Sequence, residues 1–329
     1  MRILNTLILL FCGAILPSAA CASSSLLYFE AQGLVGYSDN EDSIIFHSAE
    51  VDDSMQKSSV GFDFIQRFSG KTGDYGIFAM QGRLAYDPDA ENELEPQLYN
   101  AYFKYKAGWS DLWLGHNRPA FGLSSVLDSH ALLLPTLPMD GFGYDRDWGL
   151  GLSRDLPWGN ISASLSTGSG MPLRFEEGNY LTSARIAKGI LSQDNYSLGF
   201  SLAHGETLHT MGYEMMNDEP MELSLAGLDF SYLWDNFEAR FEAMGGTNRD
   251  DDAYALFARF AVNLLEENQL KLEMQPEYNM IGDDKGFQFA VGPAYQLTDE
   301  ITLRAMYQYD EFADEQRVVM QFYYYSKVL

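Results

Sequence analysis

The feature that most constrains this chain is a short alternation of apolar and polar residues that recurs about sixteen times. Successive side chains of a β-strand point to opposite faces, so period two marks a strand with two different environments. The segments cover 26–38, 60–68, 75–86, 97–106, 111–118, 148–154, 160–167, 179–188, 196–204, 221–233, 236–245, 254–264, 270–280, 286–297, 301–309 and 317–327. In 270–280, Leu270, Leu272, Met274 and Tyr278 alternate with Lys271, Glu273, Gln275 and Glu277. A soluble sandwich buries one face of each sheet and has no need of so many charges opposite so many apolar residues. The links alternate too. Short links such as 107–110, 157–159, 193–194, 266–268 and 298–300 interleave with longer, more acidic ones. An even strand count with this rhythm places both chain ends on one side. The expected fold is all-β: a transmembrane antiparallel β-barrel of about sixteen strands, apolar outside and polar inside.

The N-terminus reads as an export signal. Arg2 precedes the apolar stretch Leu4–Leu16, and Ala20-Cys21-Ala22 supplies a small-residue cleavage site, placing the cut after Ala22. The competing reading is acylation of Cys21, although Ser18 stands where a lipobox has a large aliphatic residue. The expected organisation is a signal peptide over 1–22 and a barrel over 23–329. Cys12 and Cys21 are the only cysteines, so the exported chain would hold no disulfide and no Cys-ligated metal. No later apolar run approaches the ~18 residues of a membrane helix. The net charge of −26 argues against nucleic-acid binding. Acid runs at 87–95, 217–219 and 249–252 read as solvated loops. The five histidines are scattered without ligand spacing, so neither a metal nor a cofactor is expected.

One stretch breaks the rhythm. Pro119–Asp147 has no strand pattern and is rich in Leu, Gly and Pro. A connection that long is usually functional or disordered. The following hairpin presents Gly149, Gly151, Ser153, Ser162, Ser164 and Ser166 on one face, leaving room for another backbone. The long loop, about 119–147, is therefore expected to fold into the lumen. The alternation of 221–233 slips by one at Gly227, as a β-bulge would cause. The segment Gly205–Pro220, with Met211, Met215 and Met216, reads as a further loop.

Parity then assigns the inward charges. The basic set is Arg67, Arg83, Lys104, Lys106, Arg240, Arg259, Lys271 and Arg304. The acidic set is Glu30, Asp63, Glu238, Glu242, Glu273 and Glu277. Arg118 and Arg154 fall on the outer parity but end their strands beside the long loop, where they could touch solute. Tyr86, Tyr99, Tyr105, Trp148, Tyr232, Tyr254, Tyr278, Tyr295, Tyr307 and Tyr324 fall on the outer face near strand ends, as interfacial girdles would.

The stretch Leu98–Gly122, with Tyr-Asn-Ala-Tyr-Phe-Lys-Tyr-Lys and Leu-Trp-Leu-Gly-His-Asn-Arg-Pro-Ala-Phe-Gly, resembles the phosphate-selective porin O and P type of Gram-negative outer-membrane porin. Leu132-Leu133-Leu134-Pro135 and Asp145–Leu150 are similar to that family's return into its next strand. The resemblance implies an outer-membrane channel for passive diffusion of small hydrophilic solutes or ions. Its surroundings would be lipid and lipopolysaccharide, and its assembly a homotrimer. An alternative is an adhesin or partner-holding barrel without open transport. A barrel enzyme would have to draw on Asp128, Ser129, His130, His116 or Ser124, whose spacing defines no dyad.

Overall fold

The computed structural model describes residues 22–49, 56–71, 73–88, 93–127, 131–176 and 178–329. The signal segment therefore lies outside the described residues, except for Ala22. The strands are β1 (Ala22–Ser38), β2 (Ser43–Ile45), β3 (Ser58–Gly70), β4 (Gly73–Tyr86), β5 (Leu94–Lys106) and β6 (Asp111–Asn117). Next come β7 (Asp147–Leu156), β8 (Gly159–Ser166), β9 (Tyr180–Lys188), β10 (Tyr196–Met211), β11 (Glu214–Trp234) and β12 (Phe237–Asn248). The last are β13 (Asp251–Leu264), β14 (Leu270–Ile281), β15 (Asp284–Gln296), β16 (Ile301–Asp310) and β17 (Glu315–Lys327). β2 is a three-residue addition to the end of β1. The other sixteen strands form one closed antiparallel barrel, each paired with its neighbours in the chain. Closure runs from Tyr28↔Lys327 to Ser38↔Arg317 between β1 and β17, and from Ala22↔Ser69 to Gln32↔Ser59 between β1 and β3. A closed ladder leaves no sheet edge unpaired, which lets strands cross hydrocarbon.

The two faces differ as the alternation requires. Leu150, Leu228 and Met320 are more than half exposed, at 52%, 57% and 59%, on the outer face. Phe29, Val60, Phe200, Leu256, Leu272 and Phe322 extend this apolar belt. In water it would cost about 25 cal/mol per Å² of apolar surface; in lipid that cost vanishes. Tyr86 and Tyr254 are exposed near the end carrying the long connections, here the loop end. Tyr105, Tyr232 and Tyr295 are exposed near the opposite, turn end, where Trp109, Trp158 and Trp234 join them. These three tryptophans are a girdle signal that alternation alone does not pick out.

Three expectations require correction. Gly205–Pro220 is not a loop: β10 and β11 run on as a long hairpin turning at Gly212-Tyr213, so 217–219 lies on a strand. Register shifts between Thr207 and Thr210 accompany this extension. At its tip, Tyr213 packs with Tyr99, Met139 and Met171. Second, Gly227 carries no bulge. Ser201↔Gly227 and Gly227↔Met244 sit in unbroken ladders. The apparent slip arises because Leu223 and Leu225 are apolar residues on the inner face, buried against other apolar groups. Third, Tyr99 is no girdle residue. A bulge pairs Gln81↔Asn100 and then Gly82↔Leu98, inserting Tyr99 as an extra residue that is fully buried.

Gly115 lies among the last ladder pairs of β6, two residues before its end at Asn117. Its φ is +125°, and a Cβ there would lie 2.2 Å from the Ala101 carbonyl oxygen. Gly115→Val should lower unfolding stability in micelles by about 2 kcal/mol or more, the scale of forced backbone strain. Gly33→Ala, where nothing lies within 4 Å of the added carbon, should leave the urea midpoint nearly unchanged.

Candidate functional site

The connection from β6 to β7 is fixed to residues on the buried face of the wall. The Ala120 N–H donates to Ser164 Oγ at 2.9 Å and the Gly122 N–H to Ser201 Oγ at 3.1 Å. The Leu123 N–H donates to Glu242 Oε1 at 2.5 Å. Gly122 has φ +59°, and an added Cβ would sit 2.4 Å from that carboxylate oxygen, so the close approach requires glycine. A 3-10 turn covers Leu123–Ser125. Arg259 Nη2 donates to Leu134 O at 3.3 Å and to Pro135 O at 2.7 Å. Gln275 Nε2 also donates to Pro135 O, at 3.1 Å. A second 3-10 turn, Leu137–Asp140, ends at Gly141, whose carbonyl accepts from Asn248 Nδ2 at 2.8 Å.

Apolar packing explains why the segment stays there. Phe121, Leu123, Leu137 and Phe142 pack with Leu181, Leu223, Leu225, Met244 and Phe257 of β9 and β11–β13. Leu133 and Leu134 pack with Leu34, Met306 and Val319 of β1, β16 and β17. Burying each such side chain contributes about 1.5–3 kcal/mol. With Gln275 of β14 between them, the two anchorages form one arc of the wall running from β9 round to β1, along which the segment lies. The small-residue face of β7 and β8 serves two partners. Ser164 receives Ala120, while Gly151 makes space for the Trp113 indole, whose Nε1 would be 2.5 Å from an added Cβ.

The return to β7 is polar. The Arg146 guanidinium lies 3.7 Å over the Tyr99 ring, donates from Nε to Asn100 Oδ1 at 3.1 Å and pairs with Asp145. The Asp147 carboxylate accepts the backbone N–H groups of Trp148, Gly168, Ser169 and Gly170 and the Thr167 hydroxyl. This holds the connection 167–170 against the base of the inserted segment.

Two cavities flank the segment, and no residue lines both. One of about 600 Å³ at the loop end is lined by Asp140, Asp251, Asp284, Asp310, Arg249 and Arg317, among others. The other, about 580 Å³ toward the turn end, is lined by Lys104, Arg118, Arg185, Arg240, Trp113 and Asp155, among others.

The remaining parity-assigned residues fall as follows. Arg83 is buried, 2.6 Å from Gln97 Oε1 and 5.5 Å over Tyr99. Arg240 pairs with Glu238 at 2.9 Å, and Lys271 with Glu238 and Glu273 at 3.2 Å each. Arg259 and Glu277 are buried, and Asn279 Nδ2 donates to Glu277 Oε1 at 3.2 Å. Arg304 donates to Gln321 at 2.9 Å and lies 5.0 Å over Tyr323. Glu30 is buried, and Asp63 accepts the Tyr325 hydroxyl at 2.9 Å. Arg67 and Lys106 are exposed toward the turn end. Arg154 is exposed and pairs across the ladder with Ile161. Trp148 stacks on the fully buried His116, with centroids 4.8 Å apart. Asp128, Ser129 and His130 lie outside the described residues, and Ser124 Oγ donates to the Phe121 carbonyl at 3.2 Å.

Parity reasoning missed a second set. Arg185 donates to both oxygens of Asp229, at 2.9 and 2.6 Å, both side chains being buried. A search for opposite charges on the inner parity of β9 and β11 could have found this pair. Lys57, just before β3, pairs with Asp87 at 2.6 Å and Glu95 at 3.4 Å. Burial disfavours its ammonium, but these carboxylates outweigh burial and hold its pKa above the ordinary value. On the inserted segment, burial pushes the Asp140 carboxyl up to about 6, against hydrogen bonds with Glu277 and Gln288 that pull it down.

No protein-family model matches this chain, and no curated protein matches it in sequence. Solved structures match nearly its whole length. An anion-selective porin from Comamonas acidovorans superposes with TM-score 0.66 at 11% identity, covering 93% of this chain and 100% of that one. Salmonella typhi OmpF, in a complex with daunomycin, superposes with TM-score 0.64 at 9% identity, covering 92% and 97%. A loop-deleted OmpT, an outer membrane protein of Vibrio cholerae, gives 0.62 at 11%, covering 93% and 100%. At these identities the shared property is the porin fold.

Removing the Arg259 clamp should release the segment without opening the barrel. Arg259→Ala in detergent should become cleavable by chymotrypsin between β6 and β7, where Phe121, Phe142 and Tyr144 lie, while the wild type resists under the same conditions. For Asp140, a folded-state pKa above the unfolded value means stability is greatest at low pH and declines as pH rises through about 4 to 6. Asp140→Asn should therefore gain stability over wild type from pH ~4 to pH ~7, by on the order of 1–3 kcal/mol in urea unfolding.

Proposed function

We propose that this protein is an outer-membrane porin through which small hydrophilic solutes or ions diffuse passively, without covalent chemistry. The observation that carries this reading is the closed sixteen-strand barrel with an apolar exterior and polar cavities on both sides of an inserted segment. A barrel of this size encloses an aqueous space rather than a packed core. Segment 119–147 is the constriction. The passage is lined by Lys104, Arg118, Arg240, Lys271 and Arg304 with Glu238; Arg83, Arg259, Glu242, Glu273 and Glu277 are buried in the wall behind it, and Arg67 and Lys106 lie at its turn-end mouth. Such wall charges tune selectivity in a narrow, low-dielectric passage.

The signal-like residues 1–22 fit export, and the aromatic girdles fit a bilayer shared with lipopolysaccharide. The homotrimer implied by the resemblance is part of this reading. The likeness to the phosphate-selective O and P type rests on Leu98–Gly122, whereas the loop-end cavity carries more carboxylates than cations. Phosphate is accordingly not assigned as the solute.

One observation favours the second reading, a barrel that holds a partner without open transport: Met216 near the β10–β11 tip is an exposed apolar residue on a hairpin that extends past its neighbours. Planar-bilayer recording separates the two. Porin function predicts discrete conductance steps, with larger steps in Glu242→Leu as the segment loses its Leu123 anchor. A folded, heat-modifiable barrel without steps contradicts it.

A further inference from the structure

The end of the β10–β11 hairpin leaves the wall. The ladder of β10 with β9 stops at Glu206↔Tyr180, and that of β11 with β12 stops at Leu223↔Asn248. Beyond these pairs, among the described residues, the two hairpin strands pair only with each other. Register shifts beside His209 interrupt even that ladder, and irregularities of this kind bend a strand. Two hydrogen bonds pin the base. The Leu208 N–H donates to the Gly168 carbonyl at 2.8 Å, and the Tyr144 hydroxyl donates to the Leu208 carbonyl. The tip then reaches β5, five strands away round the wall from β10, so it crosses the loop-end mouth. There Tyr213 packs on Tyr99, on Met171 of the β8–β9 connection and on Met139 of the inserted segment. Tyr99 lies on the loop-end side of Asn100 and Tyr102, which line the turn-end cavity. The seat of Tyr213 therefore stands between that cavity and the loop side.

The seat is imperfect. The Tyr213 hydroxyl is buried and has no hydrogen-bond partner among the described residues. Burying the ring favours the seated tip. Leaving the hydroxyl buried and unpaired opposes it by a similar amount. The two effects leave the seated and released tips close in free energy.

We propose that the hairpin over residues 207–221 is a lid on the loop-end mouth, bending beside His209 and seated by Tyr213, whose release opens a path to the turn-end cavity. This rests on the porin reading. The lid moves without breaking any pair between the barrel's neighbouring strands, because its ladder is its own.

The test is dwell-time analysis of single-channel records, with heat-modifiability confirming that each variant is folded. The wild type is expected to switch between a full level and a reduced, closed level. Tyr213→Phe removes the unpaired hydroxyl and keeps the ring, so closed dwells should lengthen about tenfold. Tyr213→Ala removes the ring, so closed dwells should shorten by about tenfold or more. Met171→Ala alters the seat from the other side and should shorten them as well. Three results overturn the lid and leave the porin reading intact: a wild-type channel that never closes, closed dwells that none of the variants changes, or Phe and Ala variants that shift them in the same direction. An absence of steps overturns both.

Discussion

The rest of the structure depends on the ladder that joins β17 to β1. Eleven residue pairs, from Tyr28↔Lys327 to Ser38↔Arg317, turn a sheet into a tube. Once closed, every strand has two partners and every side chain faces either a continuous exterior or an enclosed interior. That binary choice fixes the meaning of each residue along the chain. It also explains why exposed Leu150, Leu228 and Met320 are compatible with a stable fold: the exterior they share is one that lipid can cover.

The interior is a separate problem, because a barrel this wide cannot be filled by its own wall. The chain answers locally. Around β9–β13 the wall turns apolar at Leu181, Leu223, Leu225, Met244 and Phe257, and there the inserted segment lays Phe121, Leu137 and Phe142. Elsewhere charged and amide side chains remain, and cavities persist on either side. The segment's backbone polar groups are met by side chains from the wall, with Glu242 and Arg259 at two of its bends. Both residues thus hold the segment in place, while Lys104, Arg118 and the loop-end aspartates line the cavities.

How much of this was legible in the sequence follows from the same physics. The barrel was readable because sixteen strands repeat one simple rule, and segments such as 270–280 obey it without exception. The unusual character of 119–147 was readable from its lack of period and from the small-residue wall beside it. Tyr99 was not, because a bulge changes parity without changing composition. Nor was the inward turn of Leu223 and Leu225, since an apolar residue facing lumen contents looks the same in sequence as one facing lipid. The β10–β11 extension was hidden because Asn217, Asp218 and Glu219 read as solvent-facing whether they sit in a loop or on a strand standing above the membrane.

The most direct test of the account is the two-sided environment of a single strand. Single-cysteine variants at Lys271, Leu272, Glu273 and Met274 would carry a fluorophore, with brominated lipid as the quencher. The account predicts quenching at 272 and 274 and none at 271 and 273. Equal quenching at all four positions, or the reverse pattern, would contradict a lipid-facing exterior around a water-filled lumen.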